Sequence, residues 1–160
     1  MNSIMQSIKP KYCELIAAGR KTYEVRKTKP NIPTPFKAYI YETKDKKYMN
    51  LAICVPDKNI NFIHAPGKVI AEYICDEIIE WTEDMKPPVP LSKLCLTYSQ
   101  IRHYGGDKPL YLWHITNLKI YDEPKELSAF KGHKRMWYGS IYLPLTRPPQ
   151  SWLYCEEVAL

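Results

Sequence analysis

The sequence predicts an α+β fold: a mixed or antiparallel β-barrel of five to six strands, with two or three short helices packed on its outside. Three observations lead there. Most apolar residues fall in short alternating or continuous runs of strand type, only two or three short segments carry helical spacing, and strands and helices do not alternate in the regular way of a doubly wound sheet. A chain of 160 residues suits a single domain over 1–160, because two halves of about 80 would each have a thin core.

The elements follow in order. Residues 10–18 read as a short helix: Pro10 suits the first helical position, Tyr12, Leu15 and Ile16 share a face, and Gly19 is a helix stop. In KTYEVRK, Thr22, Glu24 and Arg26 alternate with Tyr23 and Val25, the period of a half-buried strand. Pro30, Pro33 and Pro35 make 28–36 a loop, and KAYIYET at 37–43 is a second strand. Residues 44–66 read as a surface excursion that includes the apolar piece LAICV.

GKVIAEYICDEIIEW at 67–81 reads as a long strand open to a bulge, ended by the prolines at 87, 88 and 90. Thr97 is placed to cap a short helix running to about His103, and Gly105–Gly106 turns the chain. LYLWHITNLKIY at 110–121 is apolar on both faces and is expected to be central. Pro124–Phe130 gives a helical turn, 131–148 a second surface excursion, and SWLYCEEV at 151–158 a closing strand.

Composition narrows the function classes. Hydrophobic residues are 45% and charged residues 25% of the chain, the balance of a globular protein. The start MNSIMQSIKPKY has no uninterrupted apolar stretch and no small-residue cleavage site, and no run of about 18 apolar residues occurs. Neither secretion nor membrane spanning is expected. The five cysteines (Cys13, Cys54, Cys75, Cys95, Cys155) form no CxxC pair, and no histidine completes a ligand set with them, so reduced thiols in a cytoplasm and no metal or cofactor are expected. The net charge of +6 is uneven: residues 1–50 hold eleven Lys/Arg against four Asp/Glu, the remainder twelve against thirteen. The asymmetry points to an anionic partner such as nucleic acid, or to lysines that keep the surface soluble.

The segment SIKPKYCELIAAGRKTYEVRK, with the core Gly19-Arg20-Lys21-Thr22-Tyr23-Glu24-Val25-Arg26, resembles the opening signature of ASCH domains, a branch of the PUA-like superfamily. GKVIAEY at 67–73, YLWHITNLKIYDEPKELSAF at 111–130 and PQSWLYCEE at 149–157 resemble later parts of bacterial and phage ASCH proteins in the same order. The resemblance implies a PUA-like β-barrel with a cleft beside the helix and first signature strand. It also implies binding of RNA or modified bases and, in some members, amidohydrolase activity on acetylated cytidine through a lysine, a threonine and a glutamate. Lys21 matches that lysine. Glu24 stands where the threonine would be, and residues 91–104, which should supply the glutamate, contain no Asp or Glu.

Within such a cleft Lys21 and Arg26 can hold a phosphate while Glu24 bonds a base edge or ribose hydroxyl; equally, Glu24 and Arg26 can form a structural ion pair. If the protein is an enzyme, Lys21 and Glu24 are its candidate acid–base pair. Lys9 flanks the helix start, either as added positive potential or as a solvated lysine. Tyr41, Trp113 and Trp152 are candidate stacking platforms or core aromatics. His114 is a candidate acid or base, or a structural histidine, with no carboxylate partner evident in the sequence. Lys131, His133, Lys134, Arg135, Trp137 and Tyr138 interleave cations with aromatics, as single-strand binding surfaces and flexible charged loops both do. The expected partner is therefore RNA or a nucleotide-like small molecule, with a binding module favoured over a ribonuclease, an amidohydrolase or a protein adaptor.

Overall fold

The computed structural model describes residues 2–48, 52–55 and 60–158. Its centre is a strand that the local sequence pattern does not announce, β1 (Asn2–Ile8). NSIMQSI carries three buried polar residues, Ser3, Gln6 and Ser7, which mask its apolar character. β1 lies parallel to β3 (Phe36–Glu42) on one side and antiparallel to β12 (Trp152–Glu156) on the other. Between β1 and β3 runs α1 (Pro10–Ala17), started by Pro10 and ended where Gly19 takes a left-handed φ of 70°.

The 67–81 segment is two strands rather than one. β6 (Val69–Cys75) pairs with β3, and β7 (Ile78–Trp81) leaves for another sheet after a break at Asp76–Glu77. The 110–121 run divides in the same way, into β8 (Leu110–His114) and β9 (Thr116–Lys125). β8 is the middle of a three-stranded sheet, β2-β8-β7, in which β2 is Tyr23–Arg26, whereas β9 lies at the edge of the larger sheet. Both breaks let one continuous hydrophobic run serve two sheets. The 131–148 region holds a hairpin of β10 (Lys131–Met136) and β11 (Gly139–Pro144), two strands that the local pattern does not announce. In the 44–66 region, β4 (Ala52–Val55) and β5 (Ile60–Ile63) pair as a third, two-stranded sheet; Leu51 of the LAICV run lies outside the described residues.

The larger sheet has seven strands in the order β11-β10-β12-β1-β3-β6-β9. The expected five- to six-stranded closed barrel is therefore corrected: the sheets are open, and there are more strands. The α+β character and the short helices, which include α2 (Leu91–Leu94) and α3 (Tyr98–Gly105), agree with expectation. A capping box formed by Thr97 and Gln100 starts α3. No helix among the described residues is long and apolar enough to cross a membrane.

Strand alternation divides the core. Ile4 and Ile8 of β1 and Ala38 and Ile40 of β3 face α1 and Trp113, whereas Met5, Tyr39 and Tyr41 face Phe130, Leu145 and Cys155 on the other side. A third cluster of Val25, Trp81, Leu94, Ile101, Leu110 and Leu112 seats α2 and α3 on the small sheet.

One polar device is buried in this frame. The His64 ring lies between Glu42 at the end of β3 (Nδ1 to Oε1, 2.8 Å) and Glu14 of α1 (Nε2 to Oε1, 2.6 Å). The His64 and Glu42 side chains are fully buried. Burial pushes the Glu42 carboxyl above its usual range, and His64 opposes that shift. His64→Ala leaves a buried carboxyl without its partner and is expected to cost about 3–5 kcal/mol in urea unfolding at pH 7. A carboxyl raised on folding favours the folded chain below its ordinary pKa and loses that contribution as pH rises through the raised value, so the deficit is expected to shrink as pH falls toward about 5.

Candidate functional site

Gly19 reverses the chain after α1, and the Lys21 N–H bonds the Leu15 carbonyl at 3.0 Å, which sets Lys21 at the head of β2. From there Lys21, Glu24 and Arg26 turn into the seam between the two main sheets. All three are buried, at 2%, 7% and 6% exposure. Lys21 Nζ donates to the Leu94 carbonyl at 2.7 Å and lies 3.4 Å from Glu24 Oε2. Arg26 Nη2 lies 3.2 Å from Glu24 Oε1 and donates to the Ser7 carbonyl at 2.8 Å, while Nη1 reaches Ser151 Oγ at 3.2 Å. The guanidinium thus ties β2 to β1 and to the residue before β12. Glu24 Oε2 and Arg26 Nε are buried and make no hydrogen bond.

This triad floors a cleft of about 310 Å³. Its walls come from Ser7, Ile8 and Lys9 at the end of β1, Tyr12 of α1, Leu96, Gln100 and Tyr104 around α3, and Gln150–Ser151. Glu24 is the sole carboxylate among these lining residues, against the cations Lys9, Lys21 and Arg26. Tyr12 is raised above the usual tyrosine pKa by burial first and then by Glu24; Tyr104 is raised by burial, with Arg26 opposing. Both phenols therefore stay protonated at neutral pH and can donate or accept. The Tyr12 ring also faces Lys21 Nζ, 5.2 Å from its centroid.

The sequence-predicted residues divide. Lys9, Lys21, Glu24 and Arg26 line one cleft, with Lys9 exposed at the rim. The start of α1 adds little for an anion, since Pro10 has no N–H and those of Tyr12 and Cys13 are taken by the Lys9 carbonyl. Tyr41, Trp113, His114 and Trp152 do not line the cleft. Tyr41 and Trp113 are core residues, 3% and 0% exposed, with no free ring face to offer a base. Trp152 packs beside Trp113 at 5.8 Å and donates to Thr28 Oγ1 at 2.9 Å. His114 does have a carboxylate partner: Asp76, between β6 and β7, lies 2.8 Å from its Nδ1, and the ring stacks on Tyr23 at 4.5 Å. That pair holds β8 against the β6–β7 junction, away from the cleft.

Tyr12, Gln100 and Tyr104 are lining residues that sequence reasoning missed. Helical spacing assigns Tyr12 to the apolar face of α1, and nothing local shows that α3 folds over β2. The absence of acids in 91–104 keeps its meaning, since the wall this segment supplies is neutral: Leu96, Gln100 and Tyr104.

The chain superposes on the crystal structure of ASCH from Zymomonas mobilis with a TM-score of 0.65 and 16% identity, over 97% of this chain and 88% of that one. A tyrosine-to-phenylalanine mutant of the same protein gives 0.65, 16% and coverages of 97% and 91%; a serine-to-alanine mutant gives 0.61, 16%, 97% and 89%. No family model matches the sequence, and no curated protein matches it. Near-complete coverage in both directions, with the helix-to-strand seam as the cleft wall, leads to one structural conclusion: the chain folds as an ASCH domain.

Proposed function

We propose that the cleft binds a nucleobase-bearing ligand, a nucleotide or one residue of an RNA strand, without covalent chemistry. The observation that carries this reading is Glu24, the one carboxylate among the residues lining the cleft, held between the buried cations Lys21 and Arg26, with an Oε2 that lies 3.4 Å from Lys21 Nζ and makes no hydrogen bond. That oxygen has an ion-pair partner but no hydrogen bond, and the N–H donors of a base edge, or a ribose hydroxyl, supply one. A volume of about 310 Å³ falls at the small end of ligand pockets. Tyr12 and Tyr104 offer ring surface for a planar ring, and Lys9 at the rim sits where an attached phosphate would be solvated. Cys13, Cys75, Cys95 and Cys155 are free thiols, which fits a reducing compartment such as the cytoplasm.

The test is equilibrium binding of mononucleotides and short single-stranded RNA to the intact protein. Glu24→Gln keeps the shape and places an amide where the acceptor oxygen stood; it is expected to weaken binding at least about tenfold, the scale of a hydrogen bond to a charged group. Lys9→Ala is expected to weaken binding only modestly and to reduce its dependence on salt between about 50 and 200 mM. Glu24→Gln binding as tightly as the unaltered chain would falsify the reading.

The enzyme reading has one observation in its favour, the approach of Lys21 Nζ to Glu24 Oε2 at 3.4 Å inside a cleft. Against amide hydrolysis stands the donor set: no hydroxyl occupies the position of Glu24, and the α3 wall supplies Gln100 and Tyr104 in place of an acid. Release of cytidine from acetylated cytidine, followed by chromatography, is expected to equal that of a heat-inactivated control. Glu24→Thr alone is not expected to restore it. Turnover by the unaltered protein that disappears in Lys21→Ala would overturn the non-covalent reading.

A further inference from the structure

The β10–β11 hairpin has features that neither the core nor the cleft explains. Met136 pairs with Gly139 across the ribbon, so its turn is Trp137-Tyr138. Gly139 takes the positive φ of this turn, 138°, and neither Trp137 nor Tyr138 has one, so the turn accepts two bulky residues without backbone strain. Two large aromatics form its tip, and Trp137 is 94% exposed. Its ring meets that of Tyr138 edge-on at 5.2 Å and no other aromatic ring among the described residues. An indole this exposed gains little from burial, so folding alone does not account for an aromatic pair at the tip.

The surroundings of this tip are cationic. From Leu127 to Cys155 the sequence contains no Asp or Glu, while Lys131, Lys134, Arg135 and Arg147 fall inside that span. Lys131 lies 3.7 Å from Glu156 at the base; Lys134 and Arg135 are exposed and form no ion pair among the described residues. Register places His133 opposite Tyr142, Arg135 opposite Ser140 and Lys134 opposite Ile141. One face of the ribbon therefore carries Arg135 beside the His133–Tyr142 ring pair, whose centroids are 5.5 Å apart. The other carries Lys134.

The base is fixed while the rest projects. Gly132 pairs with Cys155 of β12, and a Cβ on Gly132 would lie 2.5 Å from the Leu145 side chain, so glycine is what lets the ribbon close against the sheet. The Leu145 N–H bonds the Phe130 carbonyl at 2.8 Å and clamps the two ends of the hairpin together.

We propose that this hairpin is a second binding site, for single-stranded nucleic acid, in which Trp137 and Tyr138 stack on unpaired bases while Lys134 and Arg135 contact phosphates. Aromatic rings interleaved with unpaired cations on a ribbon match a polyanion with exposed ring faces. A membrane anchor requires a continuous apolar face, and each face here is interrupted by a cation. The site is independent of the cleft, because none of these residues lines it.

The experiment uses the full chain, a fluorescent dodecamer as RNA and as DNA of the same sequence, a mononucleotide, and vesicles containing phosphatidylserine. Two double variants are compared, Trp137→Ala with Tyr138→Ala, and Lys134→Glu with Arg135→Glu; all four side chains are exposed, and thermal melting confirms an unchanged fold. Each variant is expected to bind at least one polymer about tenfold or more weakly, with mononucleotide binding unchanged. RNA and DNA losing equally assigns the contacts to bases and phosphates; loss on RNA alone adds the ribose hydroxyl, and both outcomes support the site. Dodecamer affinity that is unaltered in both variants, binding of neither polymer, or hairpin-dependent binding seen only on vesicles overturns it. Failure of the cleft reading is separately visible, as loss of the mononucleotide signal's dependence on Glu24.

Discussion

Everything about the cleft depends on the Arg26 guanidinium. From β2, in the three-stranded sheet, it donates to the Ser7 carbonyl at the end of β1 and to Ser151 just ahead of β12, both of which serve the seven-stranded sheet. A planar fork of five donors reaches several acceptors at once, and an always-charged group can be buried there only because Glu24 lies 3.2 Å away. The two sheets are thus joined at a polar seam, and the seam is also the floor of the cavity. Structural and binding readings of Glu24 are not rivals in this geometry: Oε1 faces Arg26, Oε2 faces Lys21, and the residue also lines the cleft.

The seam holds two cations and one anion, so its net charge is positive in a place largely shut off from water. Lys21 is stabilised by the Leu94 carbonyl and the Tyr12 ring as well as by Glu24. Each contact belongs to a different element, which couples the position of α2, just ahead of α3, to that of α1. Gln100 and Tyr104 on α3 can therefore serve as a cleft wall even though α3 itself is a two-turn helix resting mainly on Ile101. The His64 pair with Glu14 and Glu42 plays a comparable part on the far side of α1, where a buried imidazole anchors the helix to β3. A helix of eight residues has little stability of its own, and both of its flanks are held by polar side-chain contacts.

Much of this was legible locally. Pro10 and Gly19 bounded α1, Thr97 capped α3, and the alternation in KTYEVRK placed Glu24 and Arg26 on one strand face. The order of segments that resemble ASCH domains pointed to the fold the superposition shows. The partners were not legible. Asp76 lies 38 residues from His114, and Glu42 and Glu14 lie 22 and 50 residues from His64. Nothing in local spacing connects them. β1 is hidden in the sequence because its buried Ser3, Gln6 and Ser7 imitate a polar surface; Gln6 is satisfied from afar, through the hydroxyl of Tyr73 at 2.7 Å.

The sequence by itself determined the α+β class, the starts of α1 and α3, the basic N-terminal third and the shared face of Glu24 and Arg26, because each follows from steric and periodic rules that act over a few residues. Only the tertiary structure decided that the hydrophobic runs at 67–81 and 110–121 break to serve two sheets, that the sheets stay open, and that Tyr41 and Trp113 are core. It alone brought Tyr12, Gln100 and Tyr104 around the triad. The reason is physical: a strand's faces are set by its own alternation, but what each face meets is set by which sheet it joins, and that depends on burying the whole chain's apolar surface at once.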